Sequence, residues 1–155
     1  MNKKRTELIV SAIRSGTVID HIPSDKTFQV VNMLNLAGTE NQVYFGTNLY
    51  SDKYISKGLI KISDTFFDET EINKIALVAP TATLIEIEDY EITKKQKVQL
   101  PQTVEKIVKC FNPKCVTNKE DIPTLFKVIE DHKGTMKLSC HYCEKTMTKE
   151  NIEFL

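Results

Sequence analysis

The chain has 155 residues, 41% hydrophobic and 27% charged, with 21 Lys+Arg balancing 21 Asp+Glu. That mixture excludes wholesale disorder, and zero net charge argues against a dedicated nucleic-acid binder, which needs surplus positive charge to displace counterions. The longest apolar run, residues 75–80, falls far short of the ~20 residues of a bilayer span, so no membrane role is expected. The basic opening at residues 1–5 leads into a stretch broken by Glu7 and Arg14, a poor signal peptide. The expected location is the cytoplasm.

In chain order, residues 17–22 read as a strand stopped by Pro23. Ser24 is placed to cap a helix running to about Leu36, with Phe28, Val31 and Leu34 on its apolar face and Gly38 ending it. Residues 42–49 alternate as a strand, a polar turn follows at 51–53, and residues 59–62 form the next strand. The acidic run 68–71 opens a second helix. Its Ile72, Ile75, Ala76 and Ala79 follow the i, i+3, i+4, i+7 pattern, and Pro80 stops it. Residues 82–87 alternate as a fourth strand.

The order β-α-β-β-α-β is the ferredoxin-like arrangement. Right-handed crossovers give strand order 4-1-3-2 with both helices on one face. Ile60 and Ile62 then face the helices, and Lys61 turns to the other face, where Asp20 is a cross-strand neighbour. These two admit two readings. One is a solvated ion pair worth at most ~1 kcal/mol, the ordinary case for charged residues on an open face. The other is a polar ligand site, with Lys94, Lys95 and Lys97 adding charge for phosphates. Only two of the 21 basic residues are Arg, so any anion site relies on Lys point charges.

No Walker, dinucleotide-glycine or nucleophile-elbow motif is present. Asp20 and His21 are strand neighbours, which point to opposite faces in mid-strand, a constraint that loosens at the strand end beside Pro23. No catalytic constellation emerges, so the chain is not read as an enzyme. Strand 2 lies at a sheet edge. Its apolar stretch 42–45 lacks a Pro or Lys gatekeeper, which predicts that residues 38–48 are covered by a second copy of the chain.

All four cysteines lie in the last third: Cys110 and Cys115, then, after 24 residues, Cys140 and Cys143. Two close pairs, each on a tight turn, suit a tetrahedral Zn²⁺. Two disulfides are disfavoured in a reducing compartment, and a redox CxxC needs no second pair. Four thiolates leave no open coordination position, so the ion is structural, and His141 is read as a neighbour, not a ligand. A segment of about 55 residues gains needed folding free energy from the metal. The polar stretch 93–101 resembles a linker, giving domains at 1–100 and 101–155, the second a small rubredoxin-like or zinc-ribbon β domain. The fold class is α+β.

Four segments in order, GTVIDHIP (16–23), LIKI (59–62), APTAT (79–83) and DYE (89–91), together with the four-Cys motif, resemble the regulatory chain of aspartate carbamoyltransferase over nearly the whole length. The resemblance implies a non-catalytic subunit whose N-terminal domain binds CTP as inhibitor and ATP as activator. It implies a zinc domain docked on the catalytic chain, and regulatory homodimers bridging catalytic trimers in pyrimidine synthesis. It maps nucleotide contacts onto Val10, Ile13, Val18, Asp20, His21, Lys61, Tyr90 and Ile92, and the phosphate-binding lysine onto Lys95 or its neighbour Lys94. It maps catalytic-chain contacts onto Asn112, Glu144 and Lys145. Two positions depart from relatives: Ile85 replaces an Asn near the phosphates, and Lys114 replaces a polar amide. A zinc-ribbon nucleic-acid module is the alternative, but it needs basic, aromatic loops. Here lysines mix with Glu120, Asp121, Glu130, Asp131, Glu144, Glu150 and Glu153.

Overall fold

Alternation of apolar and polar residues builds one five-stranded antiparallel sheet in the N-terminal two thirds. The computed structural model describes residues 12–155. Its elements there are β1 (Gly16–Ile22), α1 (Thr27–Met33), β2 (Val43–Tyr50), β3 (Ser56–Ser63), α2 (Glu69–Val78), β4 (Thr83–Glu88) and β5 (Glu91–Lys97). The sheet order is β2-β3-β1-β4-β5. The expected order 4-1-3-2 lies within it, and the mixed α+β class holds. Fully buried Ile19, Ile22, Ile60, Ile62 and Ile75 centre the core, which the two helices help to close.

Two expectations are corrected. Residues 93–97 are not linker: they belong to β5, paired antiparallel with β4. The hairpin turns at Asp89 and Tyr90, both at positive φ (47° and 66°), the two-residue geometry that matches strand twist. β5 is polar because it is an edge strand, where exposed lysines deter further strand pairing.

The first helix is also shorter than residues 24–36. A 3-10 turn, Ser24–Lys26, precedes α1, and Asn35 in the left-handed region ends the helical run. Ser24 caps nothing; its hydroxyl is 2.7 Å from that of Ser56. Of the expected apolar face, Val31 and Leu34 pack against the core, but Phe28 is 59% exposed, and Thr27 and Val30 are the buried residues. α2 follows its expected course, with the Asp68 carboxylate accepting the Glu71 N–H at its N-terminus.

Beyond residue 100 come β6 (Thr103–Glu105), β7 (Val108–Lys109), β8 (Leu125–Glu130), β9 (Met136–Cys140), β10 (Thr146–Met147) and β11 (Glu153–Phe154). They form a four-stranded sheet, β10-β9-β8-β6, and a β7-β11 pair. Their core holds Val104, Val108, Phe126, Leu138 and Met147 with three of the cysteines. Leu77 of α2 belongs to this second core, and Leu100 and Phe154 pack against both. Among the described residues no helix is long and apolar enough to cross a membrane.

Candidate functional site

The short strands of the C-terminal third end in the two turns that carry the cysteines. Cys110 follows β7, Cys115 precedes a 3-10 turn, Cys140 ends β9 and Cys143 lies in the turn before β10. All four sulfurs lie within 4.8 Å of one another, the one such metal-fitting cluster among the described residues. The Cys110–Cys143 and Cys115–Cys140 sulfurs are 3.7 and 3.8 Å apart. A tetrahedron of metal–thiolate bonds of about 2.3 Å has edges of about 3.8 Å, whereas a disulfide brings sulfurs to about 2.05 Å. The geometry is that of a closed four-thiolate metal site.

The surroundings of the sulfurs agree. Burial pushes the Cys110 and Cys140 thiols up, despite N–H groups aimed at them from Asn112 and from Tyr142 and Cys143. At Cys143 burial again pushes upward. Hydrogen bonds from the Lys145 N–H and the Asn112 side chain, aided by neighbouring sulfurs, outweigh it and bring the thiol to about 7. Burial thus favours the protonated thiol at Cys110 and Cys140, and a bound cation would supply the charge that makes their thiolates favourable. The Asn118 amide ties down the first turn by donating to the carbonyls of Cys110 and Asn112, both at 2.8 Å. His141 turns outward with its ring against Tyr142 and stands outside the cluster. Asn112 is nearly buried, bracing both cysteine turns, while Glu144 and Lys145 are exposed beside them.

The second cluster lies on the helix-free face of the large sheet. Cross-strand pairing aligns Tyr44, Lys61, Val18, Ile85 and Lys95 in one row across all five strands. Directly paired residues share a face, so Lys61 and Lys95 address the same side, three strand spacings or roughly 14 Å apart. Ile92 pairs with Ile87 and continues the apolar middle of that face. Lys94 pairs with Glu86 and lines a groove with Phe67, Glu69 and Ile72 of the helical side. Tyr90 stands in the β4–β5 turn, and buried Ile13 lies nearby, both lining a small pocket with Tyr44. Val10 lies outside the described residues.

A β-bulge changes what Asp20 and His21 can do. Ile19 pairs with Ile60 and Ile22 with Gly58, so Asp20 and His21 together oppose Leu59. His21 has φ 56°, and Ile19 and Ile22 are both fully buried. Alternation is broken there, which brings the Asp20 carboxylate within 4.0 Å of His21 Nδ1. Asp20 Oδ1 also accepts the His21 N–H at 2.7 Å and meets Lys57 Nζ at 2.8 Å. The ion pair expected between Asp20 and Lys61 is therefore made chiefly with Lys57, a residue that sequence reasoning missed. Its signal was the two-residue period of β3, which puts Lys57, Leu59 and Lys61 on one face. Burial pushes the Lys61 ammonium below its ordinary range, with the Asp20 charge pulling the other way.

Comparison with known proteins decides the family. Residues 8–99 match the allosteric domain of the aspartate carbamoyltransferase regulatory chain, and residues 102–153 match its metal-binding domain. The chain belongs to this regulatory-chain family. Proteins named aspartate carbamoyltransferase regulatory chain resemble it over full length. That of Phocaeicola vulgatus is 46% identical over 155 residues, covering 100% of this chain and 99% of the relative. That of Bacteroides thetaiotaomicron is 47% identical and covers 100% of both. That of Pyrococcus horikoshii is 47% identical over 148 residues, or 94% of this chain and 96% of its own. The family is that of a regulatory, non-catalytic subunit with a metal-binding domain, in keeping with the four-cysteine centre.

Proposed function

We propose that this chain is the effector-binding subunit of a cytoplasmic aspartate carbamoyltransferase, taking CTP as inhibitor and ATP as activator and passing their signals to a catalytic chain in pyrimidine synthesis. The observation that carries the reading is the row from Lys61 through Val18 and Ile85 to Lys95. A cation at each end of an apolar floor roughly 14 Å long suits a nucleoside triphosphate, with its base near Lys61 and its phosphates at Lys95. Asp20 accepts from ribose hydroxyls, His21 and Lys57 lie beside it, and the family resemblance assigns Val10, Ile13, Tyr90 and Ile92 to the base, ribose or phosphate pocket. Lys94 faces the helical side and adds only long-range charge. Ile85 offers the phosphates no hydrogen bond, so lysine charge carries their binding.

The division of labour follows the two bodies of structure. Residues 1–100 bind effector, and residues 101–155 hold one structural Zn²⁺ through Cys110, Cys115, Cys140 and Cys143. The ion fixes the two turns that present Glu144 and Lys145 to the catalytic chain, with Asn112 bracing them. Two copies pair through the β2 edge, where Phe45 is 42% exposed and stacks edge-on with Phe28 at 5.5 Å. Effectors act by binding differently to the more and less active states of the assembly. The test is reconstitution. Metal-loaded chain mixed with catalytic subunits is expected to co-elute with them, and CTP and ATP should then change carbamoyltransferase activity in opposite directions. Separate elution and effector-blind activity would contradict the proposal.

A further inference from the structure

Two strands flank β3, and each carries an extra residue, the two lying opposite adjacent positions of β3. On β1, Asp20 and His21 oppose Leu59; on β2, Thr47 and Asn48 oppose Gly58, with Asn48 at φ 56°. Paired bulges of this kind bend a sheet locally and re-aim side chains. The gap they leave is filled by the entry to α1. Thr27 is fully buried there, and a Cβ built on Gly58 would collide with its Oγ1. The hydroxyls of Thr27 and Thr47 lie 3.1 Å apart, and both donate to the Ser24 carbonyl, at 3.3 and 2.8 Å. Ser24 in turn meets the Ser56 hydroxyl at 2.7 Å. This hydroxyl cluster therefore ties the β2 bulge to Ser24, just beyond the end of β1 and its bulge, and to Ser56 and Gly58 on either side of Lys57.

We propose that Gly58, Thr27 and Thr47 are positioning residues of the effector face: they lock the two bulges and so hold the Asp20–Lys57 pair in place. None of the three touches effector. They act through Lys57, whose neighbour Gly58 admits no side chain, and through Asp20, whose bulge resumes regular pairing at Ile22 opposite Gly58. The claim rests on the effector reading given above.

Thr47→Val removes the donor while keeping the shape, and Gly58→Ala introduces the collision. Calorimetry with CTP on the full metal-loaded chain should show Thr47→Val weakening affinity about fivefold, the effect of one lost hydrogen bond. In a Lys57→Met background the same substitution should change nothing further. Equal weakening in both backgrounds would mean a general structural role and would overturn the proposal. The His21 amide, held by the Asp20 carboxylate, reports the positioning without any nucleotide. Its hydrogen exchange should speed up in Thr47→Val, and in Gly58→Ala if that variant folds. Unchanged exchange in Thr47→Val overturns the proposal. Absence of CTP and ATP binding by wild type, with exchange altered as expected, would instead overturn the effector reading and leave the positioning intact.

Discussion

The two halves of this chain reach stability by different routes. The N-terminal sheet has five strands of six to eight residues and two helices, and Ile19, Ile22, Ile60, Ile62 and Ile75 are completely buried in its core. The C-terminal half has strands of two to six residues, and three of its core members are cysteines. Apolar burial suffices for the first. The second uses its sulfurs as core, and buried sulfurs that resist ionisation need a metal to complete them. One chain thus combines a sheet held by apolar burial with a smaller β region completed by a metal site.

Metal removal should break the comparison most sharply. Four-thiolate zinc sites contribute on the order of 10 kcal/mol or more to folding, above the whole stability of a small domain. Cys140→Ser, or a strong chelator, should therefore abolish amide protection in β7 to β10 while β1, β3 and β4 stay protected, as read by hydrogen exchange. Loss of protection in both halves together would mean that they fold as one unit. Acid should act like the chelator, because protons compete with metal for the thiolates.

Core truncations come next. Phe126→Ala should cost about 3–5 kcal/mol in denaturant unfolding of the metal-loaded chain, against about 0.5–1.5 for Ile62→Val in the large sheet. Leu77→Ala lies between them, at about 2–4 kcal/mol. Because Leu77 rises from α2 into the second core, its loss should lower the C-terminal transition more than the N-terminal one. Equal shifts would place its packing elsewhere.

Smaller effects refine the picture. Asp131 closes the β8–β9 turn by accepting the N–H groups of Thr135 and Lys133, which hold its carboxyl below the ordinary 3.8. A carboxylate with a lowered folded value adds stability above its ordinary value and loses it as pH falls through the lowered one. The Thr135 amide should therefore lose protection only in that acid range, and at all pH values in Asp131→Asn. The smallest effect belongs to the Arg14–Asp89 pair, at 3.3 Å with both side chains largely exposed. Arg14→Ala should change unfolding free energy by less than ~1 kcal/mol, and less still in high salt.

What was legible in the sequence follows the range of the interactions. The cysteine turns are local: spacing and turn residues sit side by side, so the metal cluster could be read directly. Strands β1 to β4 and helix α2 announce themselves by period and by stop residues. β5 was hidden because an edge strand on a solvated face has a linker's composition. The register of α1 was missed because Ser24 spends its hydroxyl on Ser56, 32 positions away, instead of capping. Lys57 was missed for a similar reason. Only the bulge at His21, where Asp20 and His21 together oppose Leu59, turns Asp20 toward it.

The central proposal is that the helix-free face of the large sheet binds effector. Titrating CTP into the metal-loaded chain, wild type against Lys61→Ala, tests it most directly. The account predicts saturable binding by wild type and at least about tenfold weaker binding by the variant, because a partly buried cation is lost where the proposal sets the nucleotide base. Metal content should be equal in the two. Equal CTP affinity in both proteins would place the effector elsewhere and contradict the account.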